Sequence, residues 1–129
     1  MHMGRALRSN DREKCIEDCR DCERMCYETA MNQCLKAGGE HVEPEHFRLM
    51  MNCAALCHVT AEFMLAQSEF HERLSDLCAA VCEACAASCR DIGGMDLCAR
   101  AREACAESCA SMAVASPREP LLTHPLNRP

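Results

Sequence analysis

The chain is poor in the large apolar side chains that usually fill a protein core. Its 129 residues include three Phe, one Tyr, no Trp, two Ile and four Val. Smaller side chains must therefore supply much of any interior, and Ala and Cys are abundant. Because a free Cys buries readily as a small hydrophobic side chain, a core built largely of Cys is physically reasonable.

Three further absences exclude whole classes of function. The net charge is −6 and no Lys/Arg cluster occurs, which argues against binding to nucleic acid or to an acidic membrane surface. No run of about 18 apolar residues exists to span a membrane, and the first residues lack the apolar segment of a secretory signal, so we expect a cytoplasmic protein. Neither a Gly-rich phosphate loop nor a nucleophile–base pair is apparent, so we predict that the chain is not an enzyme.

Cysteine, by contrast, supplies 14 residues and follows a helical repeat. From Cys78 to Cys89 the sequence CAAVCEACAASC spaces four cysteines by four, three and four residues. At 3.6 residues per turn, this spacing puts all four sulfurs on one narrow stripe of an α-helix. The same spacing recurs three times, as Cys15, Cys19, Cys22 and Cys26, as Cys53, Cys57, Thr60 and Met64, and as Cys98, Arg102, Cys105 and Cys109.

Capping and helix-breaking residues divide the chain into four predicted helices, over about residues 10–37, 44–67, 68–92 and 96–115. Their predicted boundary signals are Asn10 (with Glu13 as capping-box partner), Ser68 and Asp96 as N-caps, Pro44 as a first helical residue, and Gly38–Gly39 and Gly93–Gly94 as stops. Short connections predict an all-α fold, an antiparallel up-down-up-down four-helix bundle with a Cys-lined core.

The predicted bundle covers residues 10–116 and has a tail at each end. Residues 1–9 show no periodicity and are predicted to form a flexible N-terminus. Residues 117–129 hold four of the five prolines and form a predicted Pro-rich C-terminal tail.

The second predicted helix is apolar on two faces. One face carries Cys53 and Cys57, and the other repeats an apolar residue every seventh position, at Leu49, Leu56, Phe63 and Phe70. A helix that is apolar on two faces must be buried on both. We therefore predict that the second face meets another subunit, the alternative being that the C-terminal tail covers it.

A shared interior of thiols predicts a soft metal ion as its occupant. Many thiolates in a low-dielectric interior repel one another unless each is neutralised, and one monovalent ion per thiolate achieves this, whereas a divalent ion held by four thiolates leaves two negative charges. Stiff helices that present pairs of thiols suit low-coordinate Cu(I) better than tetrahedral zinc. We predict on the order of 14 Cu(I) ions per chain. The predicted ligands are Cys15, Cys19, Cys22, Cys26, Cys34, Cys53, Cys57, Cys78, Cys82, Cys85, Cys89, Cys98, Cys105 and Cys109.

Neither a disulfide framework nor an iron–sulfur cluster fits the cysteine spacing well. Helix neighbours have Cβ atoms about 5–6 Å apart, whereas a disulfide needs about 3.5–4.5 Å. Iron–sulfur clusters usually draw ligands from a tight loop, which the mid-helix C-x2-C pairs do not supply. A zinc or cadmium buffer and a redox-sensing or purely structural thiol bundle remain as alternatives.

The segments 15–34 and 78–109, with their repeated C-x3-C spacing and the phrases CEACAASC and CAESC, resemble the bacterial copper storage proteins of the cytosolic branch. The resemblance covers about residues 10–115. It implies a homotetramer of four-helix bundles that holds Cu(I) for storage or for protection against copper toxicity. The C-x3-C pairs onto which this carries over are Cys15/Cys19, Cys22/Cys26, Cys53/Cys57, Cys78/Cys82, Cys85/Cys89 and Cys105/Cys109.

Three residues interrupt the repeat where it would place cysteine, namely Thr60, Met64 and Arg102. For the last of these we expect Ala101 to face inward instead, with Arg102 extending to solvent and less copper in that layer.

Some thioether and imidazole side chains extend the stripe of the second helix. Thioethers and imidazoles are acceptable ligands of Cu(I). Met64, Met50 and His46 are therefore predicted as further metal ligands or as residues of a copper entrance, although a buried Met is more commonly a core filler.

Overall fold

A computed structural model describes residues 2–114, with side chains described for residues 10–113. The bundle consists of α1 (His2–Glu28, continued by a π-helical segment Thr29–Cys34 and by Leu35–Ala37), α2 (Pro44–Leu65), α3 (His71–Ile92) and α4 (Asp96–Val114). A short 3-10 turn, Gly39–Val42, links the first two helices, and residues 2–114 contain no β-strand. The predicted all-α fold with four helices is confirmed.

The π-helical segment of α1 explains how its last cysteine stays in the core. Cys34 follows Cys26 by eight residues, which is about 80° more than two turns of an ideal α-helix. The i→i+5 bonding of a π-helix accommodates more residues per turn, and Cys34 is fully buried, as is Cys26. The wider turns of Thr29–Cys34 therefore return Cys34 to the thiol stripe.

Several predicted helix ends are confirmed. Gly38 and Gly93 follow α1 and α3 with φ of 68° and 88°, a region that favours glycine. Pro44 is the first residue of α2, and the Glu43 carboxylate accepts hydrogen bonds from the backbone N–H groups of Glu45 and His46. This carboxylate satisfies amide donors that the first turn of a helix leaves unpaired.

Other predicted caps are wrong. Asn10 lies inside α1, which begins at His2, and Asp96 is the first residue of α4. Phe70 is the residue that precedes α3, and the Ser68 hydroxyl accepts a hydrogen bond from the Phe70 N–H in the turn before it. A cap residue is favoured by local hydrogen bonding, but packing of the helix against its neighbours decides where its first turn forms. The flexibility of residues 1–9 stays a prediction, and residues 117–129 lie outside the described residues.

Each of the four helices packs against two of the others. The adjacent pairs are α1 with α2, α2 with α3, α3 with α4, and α4 with α1. This is the arrangement expected of an up-down-up-down bundle with short connections. One stripe of each helix therefore points to a common axis, and the buried residues along that axis are mainly Cys, Ala and Met.

The second apolar face of α2 is present and partly open to solvent. Leu49, Leu56 and Phe63 are half-buried, whereas Val59 is exposed. A surface cavity of about 330 Å³ opens here and is lined by Asn52, Ala55, Leu56, Val59 and Val81. Within the described part of the chain, no helix is long and apolar enough to cross a membrane.

Candidate metal centre

All 14 cysteines converge on the axis of the bundle. Each is a free thiol, and each is fully buried except Cys98, which is 2% exposed. The four stripes predicted from the spacing are therefore confirmed as the lining of one interior. Sulfur atoms that neighbour one another lie 3.6–3.9 Å apart, which is van der Waals or weak hydrogen-bond contact and not a covalent bond.

The middle of this interior holds one thiol from each helix. The sulfurs of Cys22, Cys57, Cys82 and Cys105 all lie within 4.8 Å of one another. The Cys57 sulfur is 3.6 Å from that of Cys82 and 3.7 Å from that of Cys105. This separation places four soft donors around one point, close enough to bind a common ion.

A second group of four thiols lies towards the start of α1 and the end of α4. It consists of Cys19, Cys78, Cys105 and Cys109, again with all sulfurs within 4.8 Å. Beyond it, the Cys15 sulfur lies 3.6 Å from that of Cys109. Cys105 belongs to both groups of four, so the groups are parts of one continuous array and not separate sites.

The array continues in the opposite direction through Cys22, Cys26 and Cys53, whose sulfurs form a third group. Pairs four residues apart on one helix are in contact, since the Cys22 and Cys26 sulfurs are 3.9 Å apart. The pairs Cys78/Cys82 and Cys105/Cys109 have the same 3.9 Å separation. Contacts within helices therefore alternate with contacts between helices through these three groups.

Contacts among the buried thiols shift their pKa values in opposite directions. Hydrogen bonds from Cys105 and Cys109 lower the pKa of Cys19, whereas hydrogen bonds with Cys22 and Cys53, together with burial, raise the pKa of Cys26. Cys34 has a pKa that burial raises. A thiol that holds its proton is an uncharged small hydrophobe, so this core can remain packed without metal.

Arg102 contradicts the prediction made for it. Its side chain is completely buried, and Ala101 is the residue that is partly exposed. The guanidinium Nη1 donates a hydrogen bond to the Cys98 sulfur. Burial lowers the pKa of Arg102, but the charge of Cys26 and other nearby thiols has the opposite effect and the net shift is upward. The side chain does not extend outward because the core itself supplies groups that can carry negative charge.

Thioethers surround the last thiol of α1. The Cys34 sulfur lies 3.7 Å from the sulfur of Met50 and 3.6 Å from that of Met95. All three residues are buried, with Met95 the most accessible at 3%. Met50 was predicted from its position on the α2 stripe, whereas Met95 was missed because it lies in the connection before α4, outside any periodic pattern.

His46, Met64 and Thr60, which the sequence singled out on α2, also lie inside the bundle. His46 is 4% exposed, and its Nδ1 lies 2.8 Å from the Ser88 hydroxyl, while burial lowers the pKa of the ring. Its Nε2 is buried and has no hydrogen-bond partner among the described residues. Met64 and Thr60 are completely buried, and the Thr60 hydroxyl also lacks a partner in the described part of the chain.

A protein-family model and a bacterial relative match this chain in sequence. A profile described as copper storage protein matches residues 8–114. The uncharacterised cysteine-rich protein YhjQ of Bacillus subtilis is 37% identical over 77 residues, which span 60% of this chain and 70% of that protein.

Solved structures resemble the bundle closely. A protein from Nitrosospira multiformis is 44% identical with a TM-score of 0.82, over 84% of this chain and 99% of that one. The Cu(I)-bound copper storage protein BsCsp3 is 35% identical with a TM-score of 0.74, over 80% and 98% of the two chains. Apo-Csp3 from Bacillus subtilis is 37% identical with a TM-score of 0.69, over 78% and 97%.

Proposed function

The chain belongs to the copper storage protein family, and we propose that it binds and stores many Cu(I) ions through the thiolates of its core. The observation that carries this proposal is the convergence of all 14 free cysteines on one buried axis. Thiolates prefer soft ions, and Cu(I) is the soft ion that such a donor set favours. Storage requires no catalytic step.

Charge favours a monovalent cargo. A low-dielectric interior cannot hold many unneutralised thiolates, because burying each uncompensated charge costs several kcal/mol. One Cu(I) per thiolate leaves the core neutral. Zinc bound by the two groups of four thiols would leave excess negative charge, since the groups share Cys105 and lie side by side.

The sulfur separations suit ions held by three or four thiolates. With metal–sulfur bonds of about 2.3 Å, the sulfurs of a linear site are about 4.6 Å apart, those of a trigonal site about 4.0 Å and those of a tetrahedral site about 3.8 Å. The observed separations of 3.6–3.9 Å are close to the last two values, so charge, and not spacing, favours Cu(I) over zinc. Copper can therefore enter with sulfur shifts of a few tenths of an ångström.

We assign all 14 cysteines as ligands, with the C-x3-C pairs supplying contacts within helices. The Cys34 sulfur differs from those of the thiol groups because it contacts the thioethers of Met50 and Met95. Uncharged thioethers neutralise no metal charge, so an ion bound there exchanges more readily than one in the thiolate array. This end of the bundle, with His46 and Met50 beside it, is the proposed entrance, and Met64 is a further candidate ligand.

The proposed assembly is a homotetramer formed through α2, in the cytoplasm. Its support is the open apolar face around Leu56 and Val59, which would be costly to leave in water. Val59→Glu should reduce the mass measured by light scattering to that of a single bundle. Leu97→Glu, a matched change at a residue 68% exposed on α4, should leave the mass unchanged. A single-bundle mass for the unmodified protein would remove the tetramer but not the copper function.

The copper function is tested by titrating the reduced, metal-free protein with Cu(I) under anaerobic conditions, in competition with a chelator. We expect saturation on the order of one ion per thiol. Saturation at one to four ions would contradict storage, and tighter retention of zinc in a parallel titration would favour the zinc-buffer alternative. A protein that binds neither metal but forms disulfides reversibly would favour redox sensing.

A further inference from the structure

Arg102 is the largest completely buried side chain in the described part of the protein. It stands in the cysteine repeat of α4, four residues after Cys98 and three before Cys105. A buried charge without a partner is strongly destabilising, so the surroundings of the guanidinium must compensate it. Those surroundings therefore show what Arg102 does.

Cysteine thiols are the groups that act most strongly on the charge of the Arg102 guanidinium. The guanidinium donates to the Cys98 sulfur, and the other groups whose charge acts most strongly on it are the thiols of Cys26, Cys85 and Cys89. Burial and the Arg102 cation both lower the pKa of His46 and favour its neutral form, so this ring supplies no negative charge. Within the described residues, the Nε and Nη2 atoms of Arg102 are buried without a hydrogen-bond partner. The negative charge that balances Arg102 must consequently come from a thiolate.

We propose that Arg102 is a built-in cation that takes the place of one Cu(I) ion in the thiolate array. This inference rests on the proposed copper function and deepens it. When the core is loaded, each thiol gives its proton to the solvent, and the thiolate charges must be matched by cations. The guanidinium matches one of them permanently, so the saturated protein holds one copper fewer than its 14 thiolates.

Arginine suits this role because it is a cation that cannot become a ligand. The guanidinium has N–H donors and no acceptor, and it stays protonated at any physiological pH. It therefore cannot bind copper itself and cannot escape its charge by losing a proton. The layer formed by Cys26, Cys85, Cys89 and Cys98 is the copper-poor one, since the guanidinium acts on the charge of these four thiols.

Removing the charge should raise the number of copper ions by one. Arg102→Leu leaves 14 thiolates with no internal cation, so it should bind one Cu(I) more than the unmodified protein. Arg102→Cys removes the cation and adds a thiolate, so it should bind two more. Both variants are expected to fold, because a thiol that loses its cationic partner can take up a proton and become neutral. Arg100→Leu, at an exposed position of the same helix, is the matched control and should bind the unmodified number.

Native mass spectrometry of the saturated, anaerobic proteins counts Cu(I) as integers, and circular dichroism checks the fold of each variant. Gains of one ion in Arg102→Leu and two in Arg102→Cys support the proposal. An unchanged count in Arg102→Leu with a gain of one in Arg102→Cys overturns it, because the count would then follow thiols alone. If Arg102→Leu does not fold, Arg102→Cys alone decides: a gain of two Cu(I) ions supports the proposal, and a gain of one overturns it. A low copper count in the unmodified protein and in every variant would instead refute the storage function.

Discussion

Cys57→Ser is the substitution that most directly tests whether the thiols act as one shared array. The Cys57 sulfur lies 3.8, 3.6 and 3.7 Å from the sulfurs of Cys78, Cys82 and Cys105. It is also one of the four thiols, one from each helix, that meet at the middle of the axis. Serine keeps the size and shape of the side chain nearly unchanged but replaces a soft sulfur ligand by a hard oxygen.

The expected effect has two parts of different size. Charge balance requires that losing one thiolate lowers the copper capacity by about one ion. Ligand sharing affects more ions: with about one ion per thiolate and two or three thiolates per ion, each thiolate must on average bind two or three ions. Cys57→Ser should therefore remove one ion and weaken the binding of one or two more.

The matched control is Cys34→Ser. The Cys34 sulfur touches the thioethers of Met50 and Met95, so its loss should remove one ion without weakening the others. Both substitutions bury a hydroxyl group in a sulfur-rich site, at a cost of roughly 1–3 kcal/mol to the metal-free protein. Because this cost is common to both, differences between them report on copper and not on folding.

Two measurements separate the two parts of the effect. Native mass spectrometry gives the capacity, and titration against a series of Cu(I) chelators of increasing strength gives the number of ions held in each affinity class. We expect equal capacities for the two variants and fewer tightly held ions in Cys57→Ser. Identical competition curves would show that the thiols bind copper independently, which would refute the shared array.

Three further outcomes are expected. Thr60→Cys adds a third thiol to the stripe of α2 and removes a buried hydroxyl without a partner among the described residues. Copper counting by mass spectrometry should therefore show one additional ion, and thermal unfolding of the metal-free protein should show no loss of stability. Gly93→Ala introduces a side chain at φ 88° where nothing in the described part of the chain lies within 4 Å of the new Cβ, so backbone strain alone should lower the free energy of unfolding by roughly 1–3 kcal/mol, measured in denaturant. Burial raises the pKa of Cys34, so its proton competes with copper at neutral pH and the competition grows as pH falls. The affinity of this site for Cu(I) should therefore fall about tenfold for each unit of pH. Chelator titrations that show no change between about pH 6 and 8 would contradict thiolate ligation.

The thiol stripes could be predicted because they depend on a period that repeats on all four helices. A spacing of four, three and four residues brings sulfurs to one side of any α-helix, whatever the rest of the chain does. Short connections then leave few ways to arrange the helices, so the bundle topology followed as well. The π-helical segment before Cys34 was not predictable, because i→i+5 bonding is chosen by packing at the end of α1 and has no periodic signature.

Arg102 shows where reasoning from general patterns fails. Charged side chains are expected outside a core because an apolar core offers nothing to compensate them. That premise does not hold here, since the core consists largely of thiols that can ionise. A thiolate can balance the positive charge of a guanidinium, so Arg102 can be buried. Met95 was missed for a different reason: a connection residue has no periodicity to reveal that its sulfur reaches Cys34.

The same side chains must pack in the metal-free core and bind ions in the copper-loaded core, and the structure indicates how both are possible. Without metal, most thiols are neutral and pack as small hydrophobes; with metal, each proton is exchanged for a singly charged ion, so the net charge of the core does not change. Arg102 is the buried group whose charge is the same in both states, which means that one thiolate–guanidinium pair is common to both. The sulfurs stand 3.6–3.9 Å apart, within a few tenths of an ångström of the spacing of about 4.0 Å for a trigonal site. Since neither charge nor spacing has to change much, the helices can take up copper without rearranging, and a rigid bundle is sufficient for storage.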